Sequence, residues 1–121
     1  MKLLLIEDNA DVSSMIARYL KLKGYDCEVT SDGKEGLNQI LADKFDITLL
    51  DLALPEFSGY DVLESLEVQG KLKERKIIVL TASTLTEEKI KDFEKRGVLS
   101  CLKKPISLNE LIKVIQSCSK V

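Results

Sequence analysis

Four strand-like runs in this chain each end in a polar side chain, and this pattern constrains the fold more than any other feature. The runs are KLLLIED, FDITLLD, KIIVLT and SCLKKP, and the groups that close them are Glu7 with Asp8, Asp51, Thr81 and Lys104. In an open parallel sheet, ligands bind just outside the carboxyl ends of the strands. The sequence therefore predicts three carboxylates, one hydroxyl and one cation at a single edge of the sheet. Such a set suits one divalent, oxygen-seeking cation and one phosphoryl group.

Strand-like and helix-like segments alternate five times along the chain, which favours an α/β fold with a parallel sheet. The predicted strands span 2–6, 26–30, 46–50, 77–81 and 99–102. The second strand alternates polar and apolar residues, so we expect it at an edge of the sheet. The expected assembly is doubly wound and flavodoxin-like, with right-handed crossovers, strand order 2-1-3-4-5 and five flanking helices.

Apolar residues at helical spacing occupy the intervals between these strands. In the first helix Ile16 and Leu20 lie on one stripe, and Gly24 marks the end. The remaining helices are expected at about 32–42, from Ser58, at about 85–96 and from Ser107. Ser107 and Glu110 have the spacing of a capping box.

Length and charge narrow the classes of protein that this chain can represent. Its 121 residues make one ordinary domain, and its net charge of −2 gives no electrostatic reason to bind nucleic acid or anionic lipid. No apolar run approaches the roughly 20 residues of a membrane span. The N-terminus, MKLLLIED, becomes acidic too early for a signal peptide, so a cytoplasmic location is expected.

The cysteine and histidine content argues against common metal and redox sites. Cys27, Cys101 and Cys118 are far apart, no CxxC occurs, and the chain has no histidine. Ordinary zinc and haem sites are therefore not expected, and the chain cannot itself carry phosphohistidine. We interpret the cysteines as small buried hydrophobic residues.

The segments LLLIEDN, TLLDLALPEFSGYD, IIVLTAS and KKP occur in this order. With their separations, they resemble the receiver domain of two-component response regulators, and in particular single-domain chemotaxis-type regulators. The resemblance covers 1–121 as one receiver domain with no effector domain. It leaves open whether the chain acts alone or is part of a longer protein. It implies a phosphorylation-controlled signalling switch whose phosphoryl donor is a histidine kinase or a phosphotransfer protein.

The resemblance implies a Mg²⁺ site at the acidic residues. Glu7, Asp8 and Asp51 would bind the ion, and the backbone carbonyl of Ala53 would be a further ligand. Chemistry supports this assignment, since Mg²⁺ prefers oxygen ligands and is commonly held by one or two carboxylates. Without a cation, three clustered carboxylates would repel one another.

The same resemblance assigns the phosphoryl chemistry to three residues. Asp51 would be the phosphoacceptor, Thr81 would follow the phosphoryl group, and Lys104, which directly precedes Pro105, would contact it. A carboxylate can act as the nucleophile in such a transfer, and positioning with cationic groups does most of the catalysis. The Lys104–Pro105 peptide bond is expected to be cis, as it usually is in the family.

Cys101 departs from the family, which generally has Tyr or Phe at this position, three residues before the lysine. The downstream protein target is expected on the face formed by the fourth helix, the fifth strand and the fifth helix. Phosphorylation is expected to draw the loop at 82–84 inward and to remodel 81–96. The smaller Cys101 should leave the active state less sharply populated. A monomer or a phosphorylation-dependent dimer is expected, without direct contact to nucleic acid or membrane.

Three other functions compete with this interpretation. A silent receiver-like interaction module would often lack one of the acids that are intact here. A metal-dependent phosphohydrolase with an aspartate nucleophile, of the haloacid dehalogenase type, needs a second Asp where this chain has Ala53. A flavodoxin-like electron carrier needs a Gly/Ser/Thr-rich anion loop where this chain has Glu-Asp-Asn-Ala-Asp. The preferred interpretation is a switch that catalyses only its own phosphorylation and slow dephosphorylation, and not a turnover enzyme.

Overall fold

A computed structural model describes residues 1–82 and 84–119, so Ser83 and residues 120–121 lie outside the description. Ser83 belongs to the loop at 82–84 that is predicted to move, so this part of the prediction falls outside the described residues. The strands are β1 (Lys2–Ile6), β2 (Asp26–Thr30), β3 (Ile47–Asp51), β4 (Ile77–Thr81) and β5 (Ser100–Lys103). The helices are α1 (Ala10–Leu22), α2 (Gly33–Leu41), α3 (Gly59–Val68), α4 (Glu87–Arg96) and α5 (Leu108–Ser119).

The strands form one parallel sheet in the order β2-β1-β3-β4-β5. The predicted fold and strand order are therefore confirmed. Three strands have the predicted bounds, and β3 and β5 each lie one residue further along the chain. The shift in β3 makes Asp51 the last residue of the strand, so its backbone is fixed by the sheet itself.

Local capping explains where the helices begin. Asn9 caps α1 by accepting hydrogen bonds from the amides of Asp11 and Val12. Thr86 caps α4 in the same way, so that helix begins at Glu87 and not at the predicted position 85. At the start of α5, the Glu110 amide donates to Ser107 Oγ over 3.3 Å. A complete capping box opens α3, where Ser58 and Asp61 each accept from the other's backbone amide.

The sheet separates two hydrophobic cores because alternate residues of its inner strands point to opposite faces. On β1, Leu4 and Ile6 join the core under α2, α3 and α4, while Leu3 and Leu5 join the core under α1 and α5. All five residues of β3 and of β4 are buried, as the apolar runs predict. Edge strand β2 buries Cys27 and leaves much of its outer surface exposed.

The cysteines only partly follow their interpretation as buried hydrophobic residues. Cys27 is buried, whereas Cys101 and Cys118 are half-buried, and all three are free thiols. Burial raises the pKa of Cys27 and of Cys101 to about 11, so both thiols are neutral at physiological pH. Within the described residues, no helix has the length and apolar character needed to cross a membrane.

Candidate functional site at the carboxyl edge of the sheet

The structure brings the five predicted side chains to neighbouring strand ends. Glu7 and Asp8 follow β1, Asp51 ends β3, Thr81 ends β4, and Lys104 follows β5. These four strands are consecutive in the sheet. The predicted convergence of carboxylates, hydroxyl and ammonium at one edge is therefore observed.

The three acids form one cluster with unequal exposure. Carboxylate oxygens of Glu7, Asp8 and Asp51 lie within 4.8 Å of one another. Glu7 is 1% exposed and Asp51 is 3% exposed, whereas Asp8 is open to solvent. Two carboxylates buried side by side are unfavourable unless positive charge lies close to them.

Lys104 supplies positive charge to both buried acids. Its Nζ lies 2.8 Å from Glu7 Oε1 and 3.2 Å from Asp51 Oδ2. The backbone also holds Lys104 in place, since its amide donates to the Thr81 carbonyl over 2.7 Å. The Lys104–Pro105 peptide bond is cis, as predicted. Of the two adjacent lysines, Lys103 is exposed, so the choice of Lys104 agrees with its position.

One ammonium does not balance this cluster. Burial raises the pKa of the Glu7 carboxyl, Asp51 raises it further, and the Lys104 ammonium opposes both effects. Burial lowers the pKa of Lys104, but its contacts with Glu7 and Asp51 outweigh burial, and the net pKa lies above the ordinary value. Lys104 therefore stays protonated beside the two buried carboxyl groups, and Asp8 adds a third acid at the surface. Such a set of oxygen ligands fits a divalent cation such as Mg²⁺.

Backbone contacts hold the Asp51 carboxylate and the loop after it. The Ala53 amide donates to Asp51 Oδ1 over 3.1 Å, so the two carboxylate oxygens have different partners. The Gly59 amide donates to the Leu52 carbonyl over 3.0 Å. A Cβ on Gly59 would lie 2.4 Å from the Asp51 carbonyl oxygen, so only glycine permits this approach of α3. The sequence pattern does not reveal this role of Gly59, although the helix start predicted at Ser58 marks the same turn.

Thr81 lines a cavity of about 270 Å³. The residue is 4% exposed, and its hydroxyl donates to the Ala82 carbonyl over 3.4 Å. A hydrogen bond of this length is weak, so the hydroxyl can turn toward a better acceptor. The cavity runs between the end of β3 and the start of α4, and it is lined by Leu52, Ala53, Tyr60, Thr81, Ala82, Thr84, Leu85, Thr86 and Lys89.

Residues 3–116 match the family model of the response regulator receiver domain. Among solved structures, the receiver domain of Francisella response regulator 1452 is 28% identical, with a TM-score of 0.86 over 98% of this chain and 97% of that one. The receiver domain of sensor histidine kinase PA1611 from Pseudomonas aeruginosa PAO1 is also 28% identical, with a TM-score of 0.81 over 96% and 94%. That structure has a magnesium ion coordinated in its active site cleft.

Full-length relatives include the transcriptional regulatory protein DltR of Streptococcus agalactiae, which is 35% identical over 116 residues. The match covers 96% of this chain and 50% of DltR. The chain thus spans about half the length of the curated relatives that it matches. Receiver domains of this family generally act as signalling switches and not as classical enzymes, and they bind Mg²⁺ at an acidic pocket. Family model, fold and site agree, and the chain belongs to the response regulator receiver domains of two-component systems.

Proposed function

We propose that this receiver domain is a phosphorylation-controlled switch that accepts a phosphoryl group on Asp51 from a histidine kinase or phosphotransfer protein. The observation that carries the proposal is the setting of the Asp51 carboxylate. It is 3% exposed, lies 3.2 Å from the Lys104 ammonium, and belongs to the cluster with Glu7 and Asp8. A carboxylate in this setting is held in one orientation with a cation beside it, which favours reaction with a phosphoryl group.

In the proposed step, one carboxylate oxygen of Asp51 attacks phosphorus and forms a new O–P bond. The bond from phosphorus to the donor nitrogen breaks, and that nitrogen keeps the electron pair. Negative charge spreads over the phosphoryl oxygens in the transition state, so nearby cations and hydrogen-bond donors lower the barrier. Lys104 remains protonated because its pKa is raised, and it lies close enough to contact one of these oxygens. The Thr81 hydroxyl, weakly bonded to Ala82, can donate to another.

Glu7, Asp8 and Asp51 are the proposed ligands of Mg²⁺, with the backbone carbonyl of Ala53 as a further ligand. The clustering of their oxygens within 4.8 Å supports this assignment. The magnesium ion in the cleft of the PA1611 receiver domain supports it as well. When bound, the ion supplies positive charge for the phosphoryl oxygens.

The output of the switch is proposed to be a protein contact on the surface of α4, β5 and α5. Several relatives are named as transcriptional regulators, so in those proteins the receiver accompanies a regulatory output. Self-catalysed phosphorylation and slow dephosphorylation are the proposed extent of catalysis. The family match argues against the phosphohydrolase and flavodoxin alternatives.

Labelling with a small phosphodonor tests the assignment of Asp51. Incubation with acetyl phosphate and Mg²⁺ should add one acid-stable, base-labile phosphoryl group, detected by intact-protein mass spectrometry. Asp51→Asn should abolish labelling, whereas Asp26→Asn, at an exposed position on edge strand β2, should label normally. Undiminished labelling of the Asp51→Asn chain would exclude Asp51 as the phosphoacceptor.

A further inference from the structure

A line of side-chain contacts joins α3 to the second half of α4. The rings of Tyr60 and Phe93 have centroids 6.0 Å apart at 44°. The Arg96 guanidinium lies 5.5 Å from the centre of the Phe93 ring. Arg96 also donates to both carboxylate oxygens of Glu67, with distances of 2.8–3.1 Å. We name these four residues, Tyr60, Phe93, Arg96 and Glu67, the α3–α4 strut.

The strut is anchored close to the proposed phosphorylation site. Tyr60 follows Gly59, which packs directly on the Asp51 carbonyl and bonds the Leu52 carbonyl. Tyr60 also lines the cavity that contains Thr81. One end of the strut is therefore fixed to the backbone of β3, while its other end holds α4.

The two halves of α4 are held unequally. Phe93 in the second half is 5% exposed, and Arg96 pairs with α3. Gly97, which ends the helix, approaches the Lys73 backbone so closely that a Cβ would lie 3.1 Å from its nitrogen. In the first half, 87–90, three residues are exposed and Ile90 is only partly buried. Four of the six residues in 91–96 are exposed as well, so the two halves differ in their anchoring contacts and not in exposure. The half with fewer such contacts has the lower local stability, and it is the segment able to move.

Cys101 supplies no aromatic ring beside β4 in this chain. The family generally has an aromatic ring at this position, whereas here a small neutral thiol packs against the core beneath α4. Tyr60, which lines the cavity that contains Thr81, makes an aromatic contact with Phe93 on α4. An aromatic pair of this geometry contributes beyond its buried area, so it can set the position of one helix on another.

We infer that the α3–α4 strut is a pivot for the switch. It holds the Phe93–Arg96 half of α4 on α3, while phosphorylation moves the start of α4 and the segment before it toward the cavity beside Thr81. The inference rests on the proposed phosphorylation of Asp51. It narrows the responding segment from 81–96 to the part that precedes the strut, 81–90.

Amide NMR with hydrogen exchange tests the pivot in the intact chain. Beryllofluoride with Mg²⁺ serves as the phosphoryl mimic. Shifts should be large in 84–90 and small in 91–96. Tyr60→Leu should extend the shifts into 91–96 and should accelerate exchange there about three- to tenfold, as the loss of an aromatic pair implies. Tyr25→Leu, which alters a half-buried tyrosine packed against the other core, is the matched control and should leave 91–96 unchanged.

The outcomes separate the pivot from the proposed function. Equal shifts in 91–96 and 84–90 of the unsubstituted chain would overturn the pivot while leaving phosphorylation of Asp51 intact. Exchange in 91–96 that is no faster in Tyr60→Leu than in Tyr25→Leu would overturn it as well. If beryllofluoride leaves the amides of Glu7, Asp8 and Asp51 unshifted, the proposed function fails. In that case the exchange comparison still decides whether the strut holds α4.

Discussion

At the carboxyl edge of the sheet, Lys104 and Glu7 lie 97 positions apart in the chain, yet their charged atoms are 2.8 Å apart. These groups meet because parallel strands end side by side, so the backbone fixes the site. At the α3–α4 strut, Arg96 and Glu67 meet at the same distance through side chains that are 33% and 40% exposed. That contact depends on two long side chains, so a single substitution can change it. The comparison indicates that topology fixes the chemistry, while the α3–α4 contacts depend on individual side chains.

Gly59→Ala disturbs the carboxyl edge of the sheet, and it has the largest expected effect on stability. The new Cβ would lie 2.4 Å from the Asp51 carbonyl oxygen, so α3 or the end of β3 must shift. The expected loss is about 3 kcal/mol of unfolding free energy, the upper part of the range for overpacking. Labelling by acetyl phosphate should fall as well. Urea unfolding and the labelling rate measure the two effects.

Gly70→Ala is the matched control for this substitution. Gly70 has a positive φ of 69° with open space around it, so alanine there costs about 1–2 kcal/mol in backbone strain alone. Labelling should remain normal. If Gly59→Ala labels as fast as Gly70→Ala, the contact between α3 and Asp51 does not position the phosphoacceptor.

Magnesium binding at the carboxyl edge of the sheet should raise the unfolding free energy by nearly as much as Gly59→Ala lowers it. At a free Mg²⁺ concentration about 100 times Kd, binding to the native state alone adds about 2.7 kcal/mol. The melting temperature should rise with Mg²⁺ and fall again with chelator. Asp8→Asn should blunt the rise, and because Asp8 is exposed, its loss should disturb the core little. A melting temperature that ignores Mg²⁺, or an equal rise in Asp8→Asn and Asp26→Asn, would contradict the metal assignment.

Cys101→Tyr restores an aromatic ring at the position where the family generally has one. The structural response to phosphorylation should then resemble that of the family more closely. Position 101 pairs with Val79 on β4, two residues before Thr81, and packs against the core that contains Phe93. A ring there should favour the active conformation by roughly fivefold, the lower end of ordinary coupling. Beryllofluoride shifts should then reach β5 with less exchange broadening. Cys101→Ser keeps the size and should behave as the unsubstituted chain, so equal spectra for Tyr and Ser variants would refute the effect.

The elements that sequence predicts well are those that depend on backbone periodicity. Continuous apolar runs identify the inner strands, and the rule that parallel strands end together places Asp51 beside Glu7. Adjacent residues at a strand end point in opposite directions, so unequal burial of Glu7 and Asp8 is expected, but the sequence alone does not say which of the two is buried. Their spacing suits a metal site in either case.

Side-chain pairing over long distances explains what the sequence did not predict. Arg96 and Glu67 are 29 positions apart on different helices, and no local pattern connects them. The capping box of α3 has Asp61 where the usual signature has Glu or Gln, so its reciprocal bond was not expected. The role of Gly59 depends on a distance to Asp51 that only the folded chain provides.

The Arg96–Glu67 ion pair of the strut has the smallest expected effect on stability. The direction in which this effect changes with pH follows from the pKa of Glu67. The hydrogen bond from Arg96 lowers the pKa of Glu67 below the ordinary glutamate value. The native state therefore binds this proton less tightly than the unfolded chain does. The stabilisation is fully present above the ordinary glutamate pKa of about 4.3, and it is lost as the pH falls through the lowered native pKa.

Glu67→Gln should thus unfold at a slightly lower urea concentration than the unsubstituted chain near neutral pH. The gap should close in acid and in high salt, because the pair is at the surface and is screened by ions. Lys2→Gln, which removes a 3.8 Å ion pair to Glu28 at the other side of the sheet, is the control. In hydrogen exchange, only Glu67→Gln should loosen 91–96, since only that substitution removes the charge that pairs with Arg96 in the strut. A gap that widens in acid, or equal exchange in both variants, would show that Arg96 does not hold α4 through Glu67.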